Sequence, residues 1–127
     1  MNMMKTILIV EDDEQYMNML LEALSIKSFH VLTASNGIDG LRVFQKHHPD
    51  MIICDIVLPD KEGLELISEI RKASSDVKII AISGGGAGAA QVYLEIAKKF
   101  GADSTFEKPF IVFELLYEVA SLLQEKQ

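Results

Sequence analysis

At 127 residues the chain has the length of one domain, so we predict a single folded unit over residues 1–127 without a separate output domain. The composition is 49% apolar, yet no stretch approaches the roughly 20 continuous apolar residues of a membrane span, which argues against membrane association. The formal net charge of −7, with no basic cluster longer than Lys98-Lys99, disfavours direct binding of nucleic acid and favours a cation or a basic protein partner. The one cysteine, Cys54, excludes an internal disulfide and agrees with a cytoplasmic location.

The first half of the chain alternates β-rich runs with helical patterns. Lys5–Val10 is rich in β-branched residues and leucine, which is typical of a strand buried on both faces. Glu14–Lys27 carries its apolar residues at helical spacing and is predicted as a helix. The elements that follow are predicted as a strand over Phe29–Ala34, a helix from the N-cap Asn36 to about His47, a strand over Met51–Cys54 and a helix over Leu64–Lys72.

The second half continues the same alternation. Its elements are predicted as a strand over Val77–Ile82, a helix over Ala90–Phe100 closed by Gly101, a strand over Ser104–Phe106 and a final helix over Phe110–Glu125. In the helix before Gly101, Val92 and Ile96 are expected to face the core, which turns Tyr93 outward. Five strands interleaved with five helices predict an α/β fold with a doubly wound parallel sheet and right-handed crossovers.

Polar side chains follow four of the predicted strands, at the point where each strand ends. Glu11 and Asp12 follow the first strand, Asp55 the third, Ser83 the fourth and Lys108 the fifth. Ligands of open parallel sheets bind at the carboxyl ends of the strands, so we expect these five side chains to form one site.

The chemistry of this set points to a metal ion and a phosphoryl group. At an effective dielectric constant of about 20, each close pair of carboxylates costs on the order of 4 kcal/mol, so the cluster raises a carboxylate pKa unless a cation neutralises it. Mg²⁺ prefers such oxygen ligands while it retains several waters. A carboxylate beside Mg²⁺, with a lysine and a hydroxyl nearby, is equipped for phosphoryl transfer.

The sequence resembles response-regulator receiver domains in four segments, which are ILIVEDDE, MIICDIVLPDKEG, IIAIS and GADSTFEKPF. These segments have the order and spacing of that family, and the resemblance covers essentially the whole chain. It implies a flavodoxin-like fold of five helices around a five-stranded sheet in the order 2-1-3-4-5. It also implies a role in a two-component or phosphorelay signalling system.

The resemblance assigns a role to each residue at the strand ends. Asp55 would accept a phosphoryl group from a sensor histidine kinase or a phosphotransfer protein, Ser83 would bind a phosphoryl oxygen, and Lys108 would pair with the phosphate. The implied ligands of Mg²⁺ are Glu11, Asp12, Asp55 and the backbone carbonyl of Val57. The Lys108–Pro109 bond would be cis. The chain would not be a turnover enzyme, since it would catalyse only its own phosphoryl uptake and slow dephosphorylation.

Two other functional classes fit parts of the sequence. The loop Gly84–Gly88 follows a predicted strand, opens a helix and precedes Asp103, which formally satisfies a dinucleotide fingerprint and suggests a small nucleotide-binding domain. An aspartyl-phosphate hydrolase of the haloacid-dehalogenase type would also use a strand-end aspartate. Those enzymes place a second aspartate two residues after the nucleophile, where this chain has Val57.

The chain departs from the receiver pattern at the predicted fifth strand. Receiver domains usually place an aromatic residue three positions before the lysine, and its rotation reports phosphorylation. Thr105 occupies that position here, and Phe106 is expected on the opposite side of the sheet because side chains alternate along a strand.

The predicted final helix begins with more apolar residues than one core-facing stripe can bury. Its inward stripe is expected at Leu116, Val119, Ala120 and Leu123. We therefore predict a partner face, for a downstream protein target or for a second copy in a homodimer, formed by Tyr93, Thr105, Ile111 and Phe113. In the alternative interpretation Phe113 belongs to the core.

Overall fold

The computed structural model describes residues 4–84 and 89–124 and contains all ten predicted elements. The strands are β1 (Thr6–Val10), β2 (His30–Ala34), β3 (Met51–Asp55), β4 (Lys78–Ser83) and β5 (Ser104–Glu107). The helices are α1 (Glu14–Ile26), α2 (Gly37–His47), α3 (Gly63–Ala73), α4 (Ala89–Phe100) and α5 (Val112–Leu123). Within the described ranges, no helix has the length and apolar character needed to cross a membrane.

The strands form one parallel sheet in the order β2-β1-β3-β4-β5, which confirms the predicted fold class. The middle strand β3 is buried along its whole length, because helices cover both faces of the sheet. Since all five strands run in one direction, the ends of β1, β3, β4 and β5 meet at one edge, where the polar residues of the sequence follow.

The sheet divides the core into two layers. Alternate residues of β1 face opposite sides, so Leu8 packs with α3 residues such as Leu66, while Ile7 packs with Leu20 of α1 and Leu115 of α5. Each of these side chains is fully buried, and each such burial stabilises the fold by about 1.5–3 kcal/mol. The helices α2, α3 and α4 therefore cover one face of the sheet, and α1 and α5 cover the other.

Local signals set the helix starts. Asp13 caps α1 by accepting hydrogen bonds from the backbone N–H groups of Gln15 and Tyr16, and Asn36 caps α2 through Asp39. The last helix begins two residues later than predicted, at Val112, because Phe110 and Ile111 are still extended or in the preceding loop.

The inward stripes of the last two helices differ from the prediction. Val92 is 55% exposed, and α4 instead buries Ala90, Leu94 and Ala97. A residue two positions after Ala90 lies about 200° around a helix of 3.6 residues per turn, so Val92 turns away from the sheet. In α5 the buried stripe is Leu115, Val119 and Leu123, with Leu116 only partly buried.

Candidate functional site

The carboxyl edge of the sheet brings three carboxylates together. One oxygen each from Glu11, Asp12 and Asp55 lies within 4.8 Å of the others. Glu11 and Asp55 are buried, whereas Asp12 is exposed. The cluster therefore has two acids fixed in the protein and one that reaches solvent.

The backbone around β1 and β2 explains the position of Glu11. Its N–H donates to the carbonyl of Ala34 at 3.1 Å, which extends the pairing of the two strands by one residue. The Glu11 carboxylate in turn accepts from the N–H of Asp13 at 3.1 Å. The residue that caps α1 thus also holds the Glu11 side chain at the edge of the sheet.

The loop after β3 is pinned around Asp55. The N–H of Val57 donates to Asp55 Oδ1 at 3.0 Å, so the backbone of Val57 borders the site, and its carbonyl as a metal ligand stays a prediction. A Cβ on Gly63 would collide with the Asp55 carbonyl oxygen, so only glycine permits this approach of α3. Further along the loop, Asp60 accepts from the N–H groups of Gly37 and Ile38 at 2.8 and 3.3 Å.

Lys108 joins the site from the end of β5. Its Nζ donates to Asp55 Oδ2 at 2.8 Å and lies 3.0 Å from Glu11 Oε1. Its backbone N–H donates to the carbonyl of Ser83 at 2.8 Å, and its bond to Pro109 is cis, as predicted. One ammonium group therefore faces two buried carboxylates.

Ser83 lies at the end of β4, between the strands that carry Asp55 and Lys108. Its side chain is fully buried, and its hydroxyl donates to the carbonyl of Gly84 at 3.3 Å. Gly84 packs against the Lys108 stem, since a Cβ there would be 3.2 Å from Cδ of that lysine. The rest of the predicted nucleotide loop, residues 85–88, lies outside the described residues.

Burial and repulsion shape the charges of the site. Burial, together with the neighbouring Asp55, raises the pKa of Glu11 from 4.5 to about 7. Burial would lower the pKa of Lys108, but its two carboxylate neighbours outweigh this and raise the pKa. Burial and the same carboxylates raise the pKa of the Cys54 thiol, which therefore stays protonated and unreactive.

The carboxylates fit a hard divalent cation. Within residues 4–84 and 89–124, the buried Oε1 of Glu11 accepts no aligned hydrogen bond, although the Lys108 ammonium lies 3.0 Å away. Oxygen ligands in this arrangement suit Mg²⁺, and exposed Asp12 leaves room for the waters that this ion retains. Glu11, Asp12 and Asp55 are therefore the residues that could hold it.

An open cavity of about 530 Å³ lies beside two of these acids, Glu11 and Asp12. It lies between the start of α1, the end of β2 and the first turns of α2, and Glu11 and Asp12 form one wall. At its rim, exposed Arg42 pairs with Asp39 at 2.7 Å. The cavity therefore opens the Glu11–Asp12 side of the cluster to solvent.

Tyr16 also belongs to the site, and the sequence reasoning missed it. The Lys108 Nζ lies 4.3 Å from the centroid of the Tyr16 ring, within the range of a cation–π contact. The only signal in the sequence was an aromatic residue in the first turn of the helix that follows the site acids. That signal gives no indication of the lysine that lies far away in the chain.

Thr105 and Phe106, where the sequence departs from the usual receiver pattern, have the predicted orientations in β5. Thr105 pairs with Ala81, on the face covered by α3 and α4, whereas Phe106 pairs with Ile82 and packs in the layer beneath α1 and α5. The two neighbouring side chains therefore lie on opposite sides of the sheet.

The four residues of the predicted partner face lie on the surface or at the edge of the sheet. Phe113 is 81% exposed, which shows that the alternative core assignment was wrong. Ile111 and Tyr93 are also exposed, and Thr105 is half-buried on the edge strand β5.

Comparison with known proteins identifies the same pattern. The family model described as the response regulator receiver domain matches residues 7–120. A protein described as probable transcriptional regulator ycf27, from Pyropia yezoensis, is 36% identical over 97% of this chain and 49% of its own length. Transcriptional regulatory protein PrrA from Mycobacterium tuberculosis is 30% identical over 94% of this chain and 50% of its own length.

The solved structures agree in fold. A CheY-like response regulator receiver domain protein from Methanospirillum hungatei superposes with a TM-score of 0.87 at 28% identity, and the match covers 97% of this chain and 96% of that one. The chain spans about half the length of the curated relatives it matches.

Proposed function

Since the chain belongs to the response regulator receiver domain family, we propose that it accepts a phosphoryl group on Asp55 in a Mg²⁺-dependent reaction. One observation carries the proposal: buried Asp55 has Lys108 on one carboxylate oxygen and the N–H of Val57 on the other, next to two further acids. The phosphodonor would be a phosphohistidine of a sensor histidine kinase or a phosphotransfer protein. A bond forms from the Asp55 carboxylate to phosphorus, the bond from phosphorus to the histidine nitrogen breaks, and the leaving imidazole takes up a proton.

The residues around Asp55 supply position and charge. Lys108 would offer a positive charge to the phosphoryl oxygens, and the hydroxyl of Ser83, at the end of the neighbouring strand β4, would donate a hydrogen bond to one of them. Mg²⁺ held by Glu11, Asp12 and Asp55 would neutralise the charge between the carboxylates and the incoming phosphoryl group.

We propose acceptance and slow release of the phosphoryl group, and no dedicated turnover activity. Two residues after Asp55 the site presents the backbone N–H of Val57, where a hydrolase of the haloacid-dehalogenase type has a second carboxylic acid. The nucleotide-binding alternative has no supporting contact among the described residues. A cytoplasmic location agrees with a phosphodonor inside the cell.

The output of the domain is proposed to be protein binding through the partner face of Tyr93, Thr105, Ile111 and Phe113. Its exposed apolar side chains suit a downstream protein or a second copy of the chain. Since ycf27 and PrrA are described as transcriptional regulators and this chain corresponds to about half of each, control of transcription would belong to a longer protein. The domain itself has no run of basic residues longer than Lys98-Lys99, so direct contact with DNA is not proposed for it.

Intact-mass spectrometry tests the proposal directly. Incubation with acetyl phosphate and Mg²⁺ is expected to add the mass of one phosphoryl group, and omission of Mg²⁺ or the change Asp55→Asn is expected to abolish the gain. The matched control is Asp76→Asn, which alters an exposed aspartate before β4 at the opposite edge of the sheet. Equal labelling of the Asp55 variant would refute the assignment.

A further inference from the structure

Three aromatic rings form a continuous row on the side of the sheet covered by α1 and α5. The rings of Tyr16 and Phe110 have centroids 5.8 Å apart at an interplanar angle of 41°, and those of Phe110 and Phe106 are 5.7 Å apart at 60°. Both separations lie in the range of aromatic pairs in contact. The row runs from the first turn of α1, past the loop before α5, to the edge strand β5.

Lys108 connects this row to the buried carboxylates. Its ammonium contacts Asp55 and Glu11 on one side and lies 4.3 Å from the centroid of Tyr16 on the other. The lysine side chain is only 13% exposed, so little of its surroundings is solvent. A displacement of the ammonium toward a group on Asp55 therefore changes its distance from the ring.

On the opposite face of the sheet, the two strand positions beside Phe106 and Ile82 carry no aromatic side chain. Thr105 and its strand partner Ala81 face α3 and α4, and neither carries an aromatic group. The ring of β5 is Phe106, which belongs to the layer of α1 and α5. Among the described residues, the aromatic contacts that begin at Lys108 therefore lead to the α1–α5 side.

We propose that Tyr16 is a positioning residue for Lys108, and that the row Tyr16–Phe110–Phe106 passes a displacement of this lysine to the α1–α5 side of the sheet. The inference rests on the proposed phosphorylation of Asp55. A phosphoryl group brings close to two negative charges and three acceptor oxygens, which attract the ammonium more strongly than the face of a ring. Once the ammonium moves, the Tyr16 ring loses its cation and repacks against Phe110, so two arrangements of the row exchange in population.

The experiment follows the aromatic rings by NMR and the phosphoryl group by intact mass in the same samples. Tyrosine and phenylalanine are labelled with ¹³C in the ring, and acetyl phosphate is added with Mg²⁺. In the wild type, the ring signals of Tyr16, Phe110 and Phe106 are expected to shift in proportion to the phosphorylated fraction. Exposed Tyr117 is the internal reference and is expected to shift by less than half as much.

Two substitutions distinguish the effect of the Tyr16 aromatic ring from the effect of an apolar side chain at this position. Tyr16→Phe keeps the aromatic face and is expected to retain the shifts of Phe106 and Phe110, whereas Tyr16→Leu is expected to lose at least half of them. Tyr117→Leu, the same change at an exposed position of α5, is the matched control and should behave as the wild type.

The outcomes distinguish this inference from the proposed function. No mass gain in the wild type refutes the phosphorylation of Asp55 and this inference with it. A full mass gain with an unmoved Tyr16 ring refutes the inference alone, and this result needs no variant to fold. Undiminished shifts of Phe106 and Phe110 in phosphorylated Tyr16→Leu would likewise overturn it.

Discussion

Arg71 and Lys108 are cations at opposite ends of the sheet. They differ in whether the hydrogen-bond acceptors and negative charges around them are matched by donors and positive charges. The Arg71 guanidinium makes five hydrogen bonds, to the carbonyls of Ser74, Val77 and Gly101 and to the carboxylate of Asp103. Asp103 also accepts from the N–H of Ile79 at 2.8 Å. Around Arg71, each acceptor therefore has a donor.

The Lys108 end has an excess of negative charge instead. One ammonium faces Glu11 and Asp55, with Asp12 nearby, and the pKa of Glu11 is raised to about 7. The two ends therefore have different roles. The Arg71 end ties α3 to the starts of β4 and β5, whereas the Lys108 end keeps unneutralised charge that a cation or a phosphoryl group can bind.

Between the two ends of the sheet, the larger loss of stability is expected at the Arg71 end. Arg71→Met should lower the free energy of unfolding by about 3 kcal/mol, because it removes all five hydrogen bonds and leaves partly buried acceptors unpaired. Urea unfolding measures the loss. The control Arg42→Met removes an exposed pair on one helix and should change stability by less than about 0.5 kcal/mol. A loss below about 1 kcal/mol for Arg71→Met would show that the two ends do not differ as argued.

The second prediction concerns the pH dependence of the charged end, measured without metal in the presence of a chelator. The pKa of Glu11 is raised in the folded state, so on a rise in pH the unfolded chain releases this proton first. The contribution of Glu11 to stability is therefore fully present below pH 4.5 and is lost as the pH rises through about 7. The shift corresponds to an upper limit of about 3 kcal/mol, of which we expect about 2 kcal/mol.

The variant Glu11→Gln isolates this contribution. The stability of the wild type relative to the variant should fall between pH 4.5 and pH 7, as measured by urea unfolding at each pH. Glu95→Gln on the exposed side of α4 controls for the loss of one acidic side chain. A pH-independent difference between wild type and Glu11→Gln would mean that Glu11 is not held in a repulsive environment.

A smaller effect is expected from Mg²⁺ on the unmodified protein. At about ten times its dissociation constant, an ion that binds only the folded state adds about 1.4 kcal/mol, which thermal unfolding resolves. Asp12→Ala should weaken this response, because it removes one of the three carboxylates, whereas Asp76→Ala should leave it unchanged. A wild-type melting temperature that does not change in millimolar Mg²⁺ would contradict the assignment of these acids as ligands of the ion.

The fold and the site residues could be read from the sequence for different reasons. Buried parallel strands have a strong local signal, and a polar residue at the end of one, such as Asp55, is assigned to the carboxyl edge by topology alone. Contacts between distant segments have no such signal. Arg71 reaches Gly101, and Lys108 reaches Tyr16, only because the folded chain brings different elements together.

The error at Val92 has a related cause. The helical period of α4 was visible, but its rotation about the axis depends on which small residues let it approach the sheet, and here these are Ala90 and Ala97. Asp60 was missed because the two N–H groups that donate to it belong to the start of α2, which is far in sequence from the loop after β3.

The smallest effect on stability is expected at the partner face, where the unpaired group is an apolar ring instead of a charge. Phe113 is 81% exposed at the start of α5, so its ring has almost no packing partner within the fold, just as the acids around Lys108 have too few positive charges. Phe113→Asp should change the free energy of unfolding by less than about 0.5 kcal/mol, since it removes almost no buried contact. The matched control Leu115→Asp, two residues away in the buried stripe, should lower stability by several kcal/mol because it buries a charge.

Analytical ultracentrifugation of the phosphorylated protein then tests whether the exposed Phe113 ring binds a second copy of the chain. If the wild type self-associates and stable Phe113→Asp does not, the ring is an anchor between two copies of the chain. If neither protein self-associates, the homodimer is wrong and the face is left to a different downstream protein. A large loss of stability in Phe113→Asp would contradict both, because the ring would then contribute to the fold in the way that Leu115 does.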